Sequence, residues 1–570
     1  MSRPDSVGRV VAFVALLGAL TAPTPAAGQT HDIEGVVRDS INGEPLTNAS
    51  GGIAPLGQMV LSDAFGRFSL LAVPVGAHVI RVEAFGYRTT DFPWDGTRGG
   101  RLVLRVAPQA VKLEGISVEL SPELLGSNER TSEITIAPRS LGSLPTLGET
   151  DVFRGIQLLP GVSGTRDASS GLFVRGGTPD ENLVLLDGMT IYHVDHFFGV
   201  FSAFTSDAIK DVRLFKGGFP ARFGGRTSSV VEMIGTTGNV EDFKLSGGMN
   251  LLSARALAEV PLGGRGSWLV SVRRSYTDVI RSSLYDNIFG TLSATENDDG
   301  TIRTGNLSGG APNASSETPS FYFYDVNSKA TYTPTDRDVV AISLYAGTDD
   351  LDESSLRRLG AQEEATDTID ITDVTSWGNR GASTRWSRRW SPRVTTDLLA
   401  STSRYFSDSR TGADAGFLSR GFEEENEVRD VTLRLDNTLL LPTGLKLGFG
   451  VQYTDHLITY DRVDQQGDSI VGSLDLAGEG ALTSGYMEVD RAFFGRLRIT
   501  AGTRISAYEP TGETYTEPRA SVRLQLTDRI ALKGALGRFY QFVKRVENED
   551  ILEGSRDFWV LADKDLPPAS

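Results

Sequence analysis

The chain contains no cysteine. Disulfide frameworks, thiolate zinc sites and a lipid anchor attached through cysteine are therefore excluded. Histidine is scarce, with five in 570 residues and no HExxH spacing, which leaves little from which to build an imidazole metal centre. Positive charge is in deficit: 56 Lys and Arg against 73 Asp and Glu give −17, the wrong sign for a nucleic-acid partner. GxGxxG, P-loop and GxSxG patterns are missing, so nucleotide binding and a serine nucleophile elbow have no support. The apolar run Val10–Leu20 is about half the roughly 20 residues that a membrane-spanning helix needs, and no later segment is a candidate. Any membrane insertion must then be by β-barrel, because lipid tolerates only helices and closed barrels.

What is present is a turn-rich β composition: 63 glycines without a collagen-like period, 39% hydrophobic and 23% charged residues. The length predicts two to four domains. Arg3 and Arg9, the apolar run and then Ala26-Ala27-Gly28 form the layout of a secretory signal peptide over residues 1–28, cleaved near Gly28.

The most informative stretch is Asp151–Met233. Strand-length apolar runs (Leu172–Val174, Leu183–Leu186, Val212–Phe215, Val230–Met233) alternate with glycine turns at Arg175-Gly176-Gly177, Asp187-Gly188, Gly217-Gly218 and Gly224-Gly225-Arg226. This predicts a small sheet with helical connections over Asp151–Leu159 and Ser202–Lys210. Four blocks in one order, Arg154-x-x-Gln157-Leu-Leu-Pro-Gly-Val162, Ser169–Gly177, Asn182–Gly188 and Lys216–Arg226, resemble the plug domain of TonB-dependent outer-membrane receptors, in particular the SusC-like branch with an extra N-terminal domain. The resemblance implies an α+β plug over residues 121–240. Its glycine hairpins (Arg175, Gly176, Gly177; Asp187, Gly188; Gly224, Gly225, Arg226) would pack on a barrel wall, with Arg175 and Arg226 as anchors facing inward carboxylates such as Asp397 or Asp436. Tyr192, His193 and His196 become candidate ligand contacts. Read as a metal site, His193-Val-Asp195-His196 lacks a third protein ligand.

Residues 31–107 read as a separate β-sandwich, with strands at Ile33–Arg38, Gly66–Leu71, His78–Ala84 and Arg101–Val106. The series Gly35-Val-Val-x-Asp39, Gly43-x-Pro45, Asp63-x-x-Gly66-Arg-Phe68, Val73-Pro-x-Gly76 and Gly86-Tyr87 resembles the carboxypeptidase regulatory-like, transthyretin-like domain, which implies a spacer or docking module without catalysis. Residues 108–120 form a linker. In such receptors this position carries the TonB box, an extended segment that adds as a strand to TonB, and the candidate is Leu113, Glu114, Gly115, Ile116, Ser117 and Val118.

Residues 241–570 alternate over long segments. Leu497, Ile499, Ala501, Ile505 and Ala507 share one face, and Arg496, Arg498, Thr500, Arg504 and Ser506 the other. Tight turns are predicted at Pro261–Ser267, Pro334–Arg337, Ser391–Arg393, Pro442–Gly444 and Thr527–Arg529, and long polar loops over 281–320, 348–373, 407–427 and 460–480. Short turns on one side and long loops on the other suit an outer-membrane barrel, with Trp268, Tyr276, Trp377, Trp386, Trp390, Tyr405, Tyr508, Phe539 and Tyr540 at its interfaces. About 13 strands are expected, fewer than the 22 of plugged transporters, and the chain ends at Pro567-Pro-Ala-Ser570 without a closing strand. The expected fold is mainly β: N-terminal sandwich, α+β plug and an incomplete antiparallel transmembrane barrel. The resemblance implies active import of a scarce glycan, peptide, siderophore or cobalamin, with TonB and the outer-membrane bilayer as partners, no nucleic acid, no cofactor and no enzymatic site. A SusD-like surface lipoprotein fits that branch without being required by the sequence. A non-transporting surface-assembly or adhesion protein is the alternative.

Overall fold

The computed structural model describes residues 30–56, 58–95, 101–109, 133–136, 138, 150–164, 171–196, 201–280, 283, 285, 294–296, 302–304, 319–358, 368–416, 419–527, 530–546 and 558–570. The expected signal peptide and the segment Leu113–Val118 lie outside them.

The N-terminal residues form two facing sheets. One has Thr30–Asp39 at its centre, antiparallel to Arg67–Pro74 and parallel to Arg101–Val106. The other runs Gln58–Leu61, Ser50–Ile53, His78–Glu83, Thr90–Trp94. Ile33, Val37, Phe68, Leu70, Ile80 and Leu104 fill the space between. Three strands of the second sheet escape sequence reasoning because Ser50-Gly-Gly-Ile53 and Gln58–Leu61 are too short to show a period, and Thr90–Trp94 contains Pro93. That proline is tolerated because the strand is an edge, paired only with His78–Glu83.

The next domain is built on a five-stranded mixed sheet in the order Met189–Thr190, Asn182–Leu186, Ser229–Gly235, Ile209–Lys216, Glu133–Ile136. The helix Val152–Gln157 starts at the Asp151 N-cap, whose carboxylate accepts from the Phe153 and Arg154 amides at 2.8 and 3.0 Å. It buries Val152, Phe153 and Ile156 against Leu214, Val231 and Met233. The second expected helix, Ser202–Lys210, is not one: only the single turn Ser206–Ala208 is helical, and Ile209–Lys216 is a strand. Phe201, Ala203, Phe204 and Ala208 are all buried, so their spacing reports a threaded connection rather than one face of a helix.

Among the described residues the C-terminal half is a wall of 13 strands, each antiparallel to the next from Lys244–Met249 to Ile530–Gly537, in line with the count of about 13 from the sequence, and the short Ser355–Arg358 pairs onto Thr368–Ser391 as a further strand. Four of the five expected tight turns fall between consecutive wall strands, and the fifth lies at a reversal whose flanks Thr527 and Ile530 pair while 528–529 lie outside the described residues. The long loops do not all exist. The segments 407–427 and 460–480 are mostly strand, because Val394–Asp414, Ser419–Leu440, Leu445–Gln466 and Ser469–Phe493 run for 21 to 25 residues. Backbone pairing continues in water beyond any apolar belt, and polar side chains on both faces do not stop it. In the acidic segment 348–373 the residues 348–352, 355–358 and 368–373 are paired strand, whereas 359–367, like most of the expected loop 281–320, lie outside the described residues.

The wall is inside out relative to a soluble protein. In Ser320–Thr335 the buried residues include Asp325, Asn327, Lys329 and Thr331, whereas Val326 and Tyr332 point away from the centre and are exposed. In Asp338–Asp352, Ile342 and Leu344 are exposed while Ser343 and Asp349 are buried, and Val431, Leu433, Val451 and Tyr453 repeat the outward apolar band. Such alternation satisfies a lipid-embedded barrel. Of the expected interfacial aromatics, Trp268 and Trp390 lie exposed beside the short turns. Trp377, Tyr405 and Tyr508 are instead buried in the lumen, because their position in the two-residue alternation puts them on the inner face, and Tyr540, beyond the end of the last wall strand, packs there against Tyr515. Phe539 also turns inward, packing on Phe219 of the inner domain with ring centroids 4.4 Å apart. The hairpin Val543–Val546 with Phe558–Leu561 lies in the same lumen, its Trp559 against Tyr192. Among the described residues, the two edge strands Lys244–Met249 and Ile530–Gly537 each pair on one side only.

Candidate functional site

The inner domain meets the inward face of the wall through its turn tips. Asp187 and Gly188 have φ of 48° and 93° between the paired residues Leu186 and Met189, a two-residue hairpin loop of the mirror-image type that needs left-handed backbone at both positions. The tip is held from four neighbouring strands. The Lys329 ammonium lies 2.7 Å from the Asp187 carboxylate, Ser343 donates to that carboxylate at 2.9 Å, and Ser383 and Ser401 donate to the Asp187 and Gly188 carbonyls at 3.0 and 3.2 Å. Burial would raise the Asp187 pKa, but Lys329 outweighs it and holds the carboxyl below its usual range. A Cβ on Gly188 would come within 2.6 Å of Leu399 Cδ2, so the loop lies too close to the wall for a side chain.

The 217–226 loop is gripped from the opposite side. Arg519 donates to the Pro220 and Phe223 carbonyls at 2.7 Å each, Arg504 donates to the Arg222 carbonyl at 3.2 Å, and Glu488 accepts from the Ala221 amide at 2.7 Å. A Cβ at Gly224 would meet Arg504 Nε at 2.4 Å. Arg226 is buried, its guanidinium 5.9 Å from the ring centroids of both Tyr192 and Trp559. Arg175 is different: it occupies the first position of a similar turn (φ 53°, followed by Gly176 at 87° and a bridge from Val174 to Gly177), but it is exposed and has no wall partner among the described residues.

The segment Tyr192–His196 forms a third contact. The Tyr192 hydroxyl donates to Asp430 at 2.8 Å, and Asn379 accepts from the Tyr192 and His193 amides at 3.1 and 3.2 Å. The Trp377 indole N–H can only donate, so its 3.0 Å contact makes His193 Nε2 an acceptor. The same nitrogen then cannot carry a proton toward Asp195, 3.2 Å away, and that pair is not an ion pair. His196 is buried, with Nδ1 2.6 Å from Asp349 and Nε2 2.7 Å from Asp325, and it stacks on Phe323 at 4.4 Å. Asp325 is also paired with Arg273, whose other nitrogen donates to the Ser202 carbonyl at 2.7 Å. Burial disfavours charge on the ring, yet the two carboxylates overcome it and raise His196 to about 10, so both nitrogens donate. Among the described residues no group of three or more His, Asp or Glu side chains could hold a metal.

Of the candidate ligand contacts, His196 is thus enclosed between domain and wall, while Tyr192 and His193 are half-buried in the same contact. Asp436 serves Arg434 and Tyr486 rather than the inner domain, at 2.9 and 2.6 Å. Lys329, Arg273, Arg504 and Arg519 were not foreseen. Each is a cation on the inner face of its strand, alone there at Arg273 and among other charges at Lys329, Arg504 and Arg519, and the two-residue alternation is the only signal the sequence carries for them.

Residues 141–231 match the TonB-dependent receptor plug domain. This segment is a plug. Over 243 residues the chain is 23% identical to the TonB-dependent transporter Oar of Myxococcus xanthus, a stretch amounting to 40% of this chain and 22% of that protein. The chain therefore spans less than a quarter of that relative. Among solved structures, a mutant of the ferric enterobactin receptor PfeA of Pseudomonas aeruginosa superposes with a TM-score of 0.52 at 16% identity, covering 77% of this chain and 67% of that one. The outer-membrane transporter YddB of Escherichia coli does so at 0.50 and 11%, covering 72% and 61%. At such identities the likeness is one of fold, a plug seated within an antiparallel β wall, and the three wall contacts described above take their geometry from this chain's own residues.

Proposed function

We propose that the protein is a TonB-dependent active transporter of the outer membrane, which imports a scarce solute of the glycan, peptide, siderophore or cobalamin kind by displacing its plug. The observation that carries this reading is the chemistry of the plug-to-wall contact. Lys329 to Asp187, Asp325 and Asp349 to His196, and Arg504 and Arg519 to backbone carbonyls are polar bonds at discrete points. Water can replace such bonds as the plug moves, and the 13-strand ladder need not be disturbed. Among the described residues Glu133–Ile136 is the edge strand of the plug sheet, bonded only to Ile209–Lys216, and the candidate TonB-binding segment Leu113–Val118 precedes it in the chain. A pull on that segment peels this strand first. The N-terminal sandwich, resembling a carboxypeptidase regulatory-like domain, is then the periplasmic module.

The test is a deletion of residues 113–118 in cells given a labelled panel of ferric enterobactin, cyanocobalamin, an oligosaccharide and an oligopeptide. Uptake of one of these, abolished by the deletion while surface binding persists, is the expected result. Uptake that survives the deletion, or no uptake of any with intact surface assembly, moves the protein to the non-transporting alternative.

A further inference from the structure

On the short-turn side of the plug a cavity of about 810 Å³ is enclosed by all three parts of the chain: Gln58–Leu71 of the sandwich, the plug sheet around Arg213, Arg222 and Glu232, and the inner wall around Arg385, Asp397 and Arg434. That volume is in the range of small-molecule sites. Its charge runs against that of the whole molecule. Ten Lys and Arg against seven Asp and Glu line it, in a chain where acids outnumber bases by 73 to 56.

Most of the acids are already engaged. Asp63 is 2.7 Å from Arg67, Glu232 is 2.9 Å from Arg222 and 3.5 Å from Arg213, and Asp490 is 3.0 Å from Arg498. Arg385 has no ion pair among the described residues, whereas Arg213 is held by Asp211, Glu232 and Asn48 at 3.6, 3.5 and 2.9 Å. Arg385 lies on the inward face of its strand, between the buried Ser383 and Ser387. The field is visible at Glu232: burial alone would raise its pKa, but Arg222, Arg213, Arg385 and Arg434 together hold it down to about 2. Guanidinium forks suit planar or tetrahedral oxyanions, which they bind through paired N–H groups, and an enclosed site is screened by salt less than a surface one.

We propose that this cavity is an oxyanion-binding vestibule on the exit side of the plug, in which Arg385, within the positive field that Arg213, Arg222 and Arg434 add, takes a solute bearing carboxylate or phosphate groups. The proposal rests on the transport reading and names a solute class for it. The site would hold such a solute after it passes the plug and before the sandwich lets it go.

Titration calorimetry on the folded, detergent-solubilised protein tests this without any energised transport. Citrate and inorganic pyrophosphate are the two anionic probes and sucrose the neutral one, at 50 and 300 mM NaCl. One anion is expected to bind and to weaken with salt, and whichever binds more tightly identifies the oxyanion. Arg385→Gln should weaken binding at least tenfold, Arg385→Lys should keep most of it, and Arg410→Gln, at an exposed pair outside the cavity, should change nothing. Absence of binding by either anion at 50 mM salt, or equal binding by Arg385→Gln, overturns the vestibule while leaving the uptake experiment standing. Uptake insensitive to deletion of residues 113–118 alongside Arg385-dependent binding would overturn the transport reading and keep the site.

Discussion

Removing the His196 imidazole should loosen the plug at its wall contact. The ring bonds two buried carboxylates at 2.6 and 2.7 Å, and each such charge-assisted bond contributes about 1.5–3 kcal/mol. His196→Ala would leave Asp325 and Asp349 facing each other with Arg273 as the one compensating cation, a change of about 3–5 kcal/mol. The proton affinity gives the same scale: a ring held at about 10 rather than 6.5 corresponds to about 5 kcal/mol. The folded pKa is above the unfolded one, so this stabilisation is fully present below about pH 6.5 and is lost as the pH rises toward 10. The assay is the urea concentration at which the plug detaches, read as the onset of conductance in a planar bilayer, at pH 6, 8 and 10. Wild type should open at progressively lower urea from pH 6 to pH 10, whereas His196→Gln should open early at every pH. A pH-independent opening of the wild type, or an unchanged threshold in the variant, would refute the reasoning.

Three further outcomes follow from the same geometry. Gly188→Ala forces a side chain onto a backbone at φ 93° and against Leu399, about 1–3 kcal/mol of strain with about 1–3 of overpacking, and should raise plug leakage in the same conductance assay. Leu344→Arg puts a charge on the outward face and should destabilise the barrel by about 2–4 kcal/mol, seen as a lower heat-modifiability temperature on gels. Phe65 is buried with Val339 and Ala341 of the wall, so Phe65→Ala, costing about 3–5 kcal/mol at a fully packed site, should free the sandwich and expose its linkers to limited proteolysis.

Much of the fold was legible because a period of two survives in each wall strand. Leu497 to Ala507 shows it, and the five short turns mark where the chain reverses. The Asp187-Gly188 hairpin was legible because its backbone restricts which residues can stand there. Partnerships were not. His193-Val-Asp195-His196 reads as a ligand or metal motif, while the groups that fix His196 lie 129 and 153 residues further along the chain. Alternation separates two faces without saying which one is lumen where both are polar, and so 407–427 and 460–480 passed for loops and Trp377 and Tyr405 for a girdle. Anchors such as Arg175 and Arg226 were sought on the plug as cations, whereas the wall supplies much of the positive charge, through Lys329, Arg504 and Arg519.

The length of the wall strands also bears on how a solute is met. At 24 residues, Thr368–Ser391 is roughly 80 Å long and, tilted by about 40°, rises roughly 60 Å, while the apolar band needs about 25 Å. The surplus stands outside the membrane as a stiff chimney of paired backbone in place of a fringe of free coils. On the proposed transport reading, a molecule entering it finds walls already in position, and little affinity is lost to ordering them.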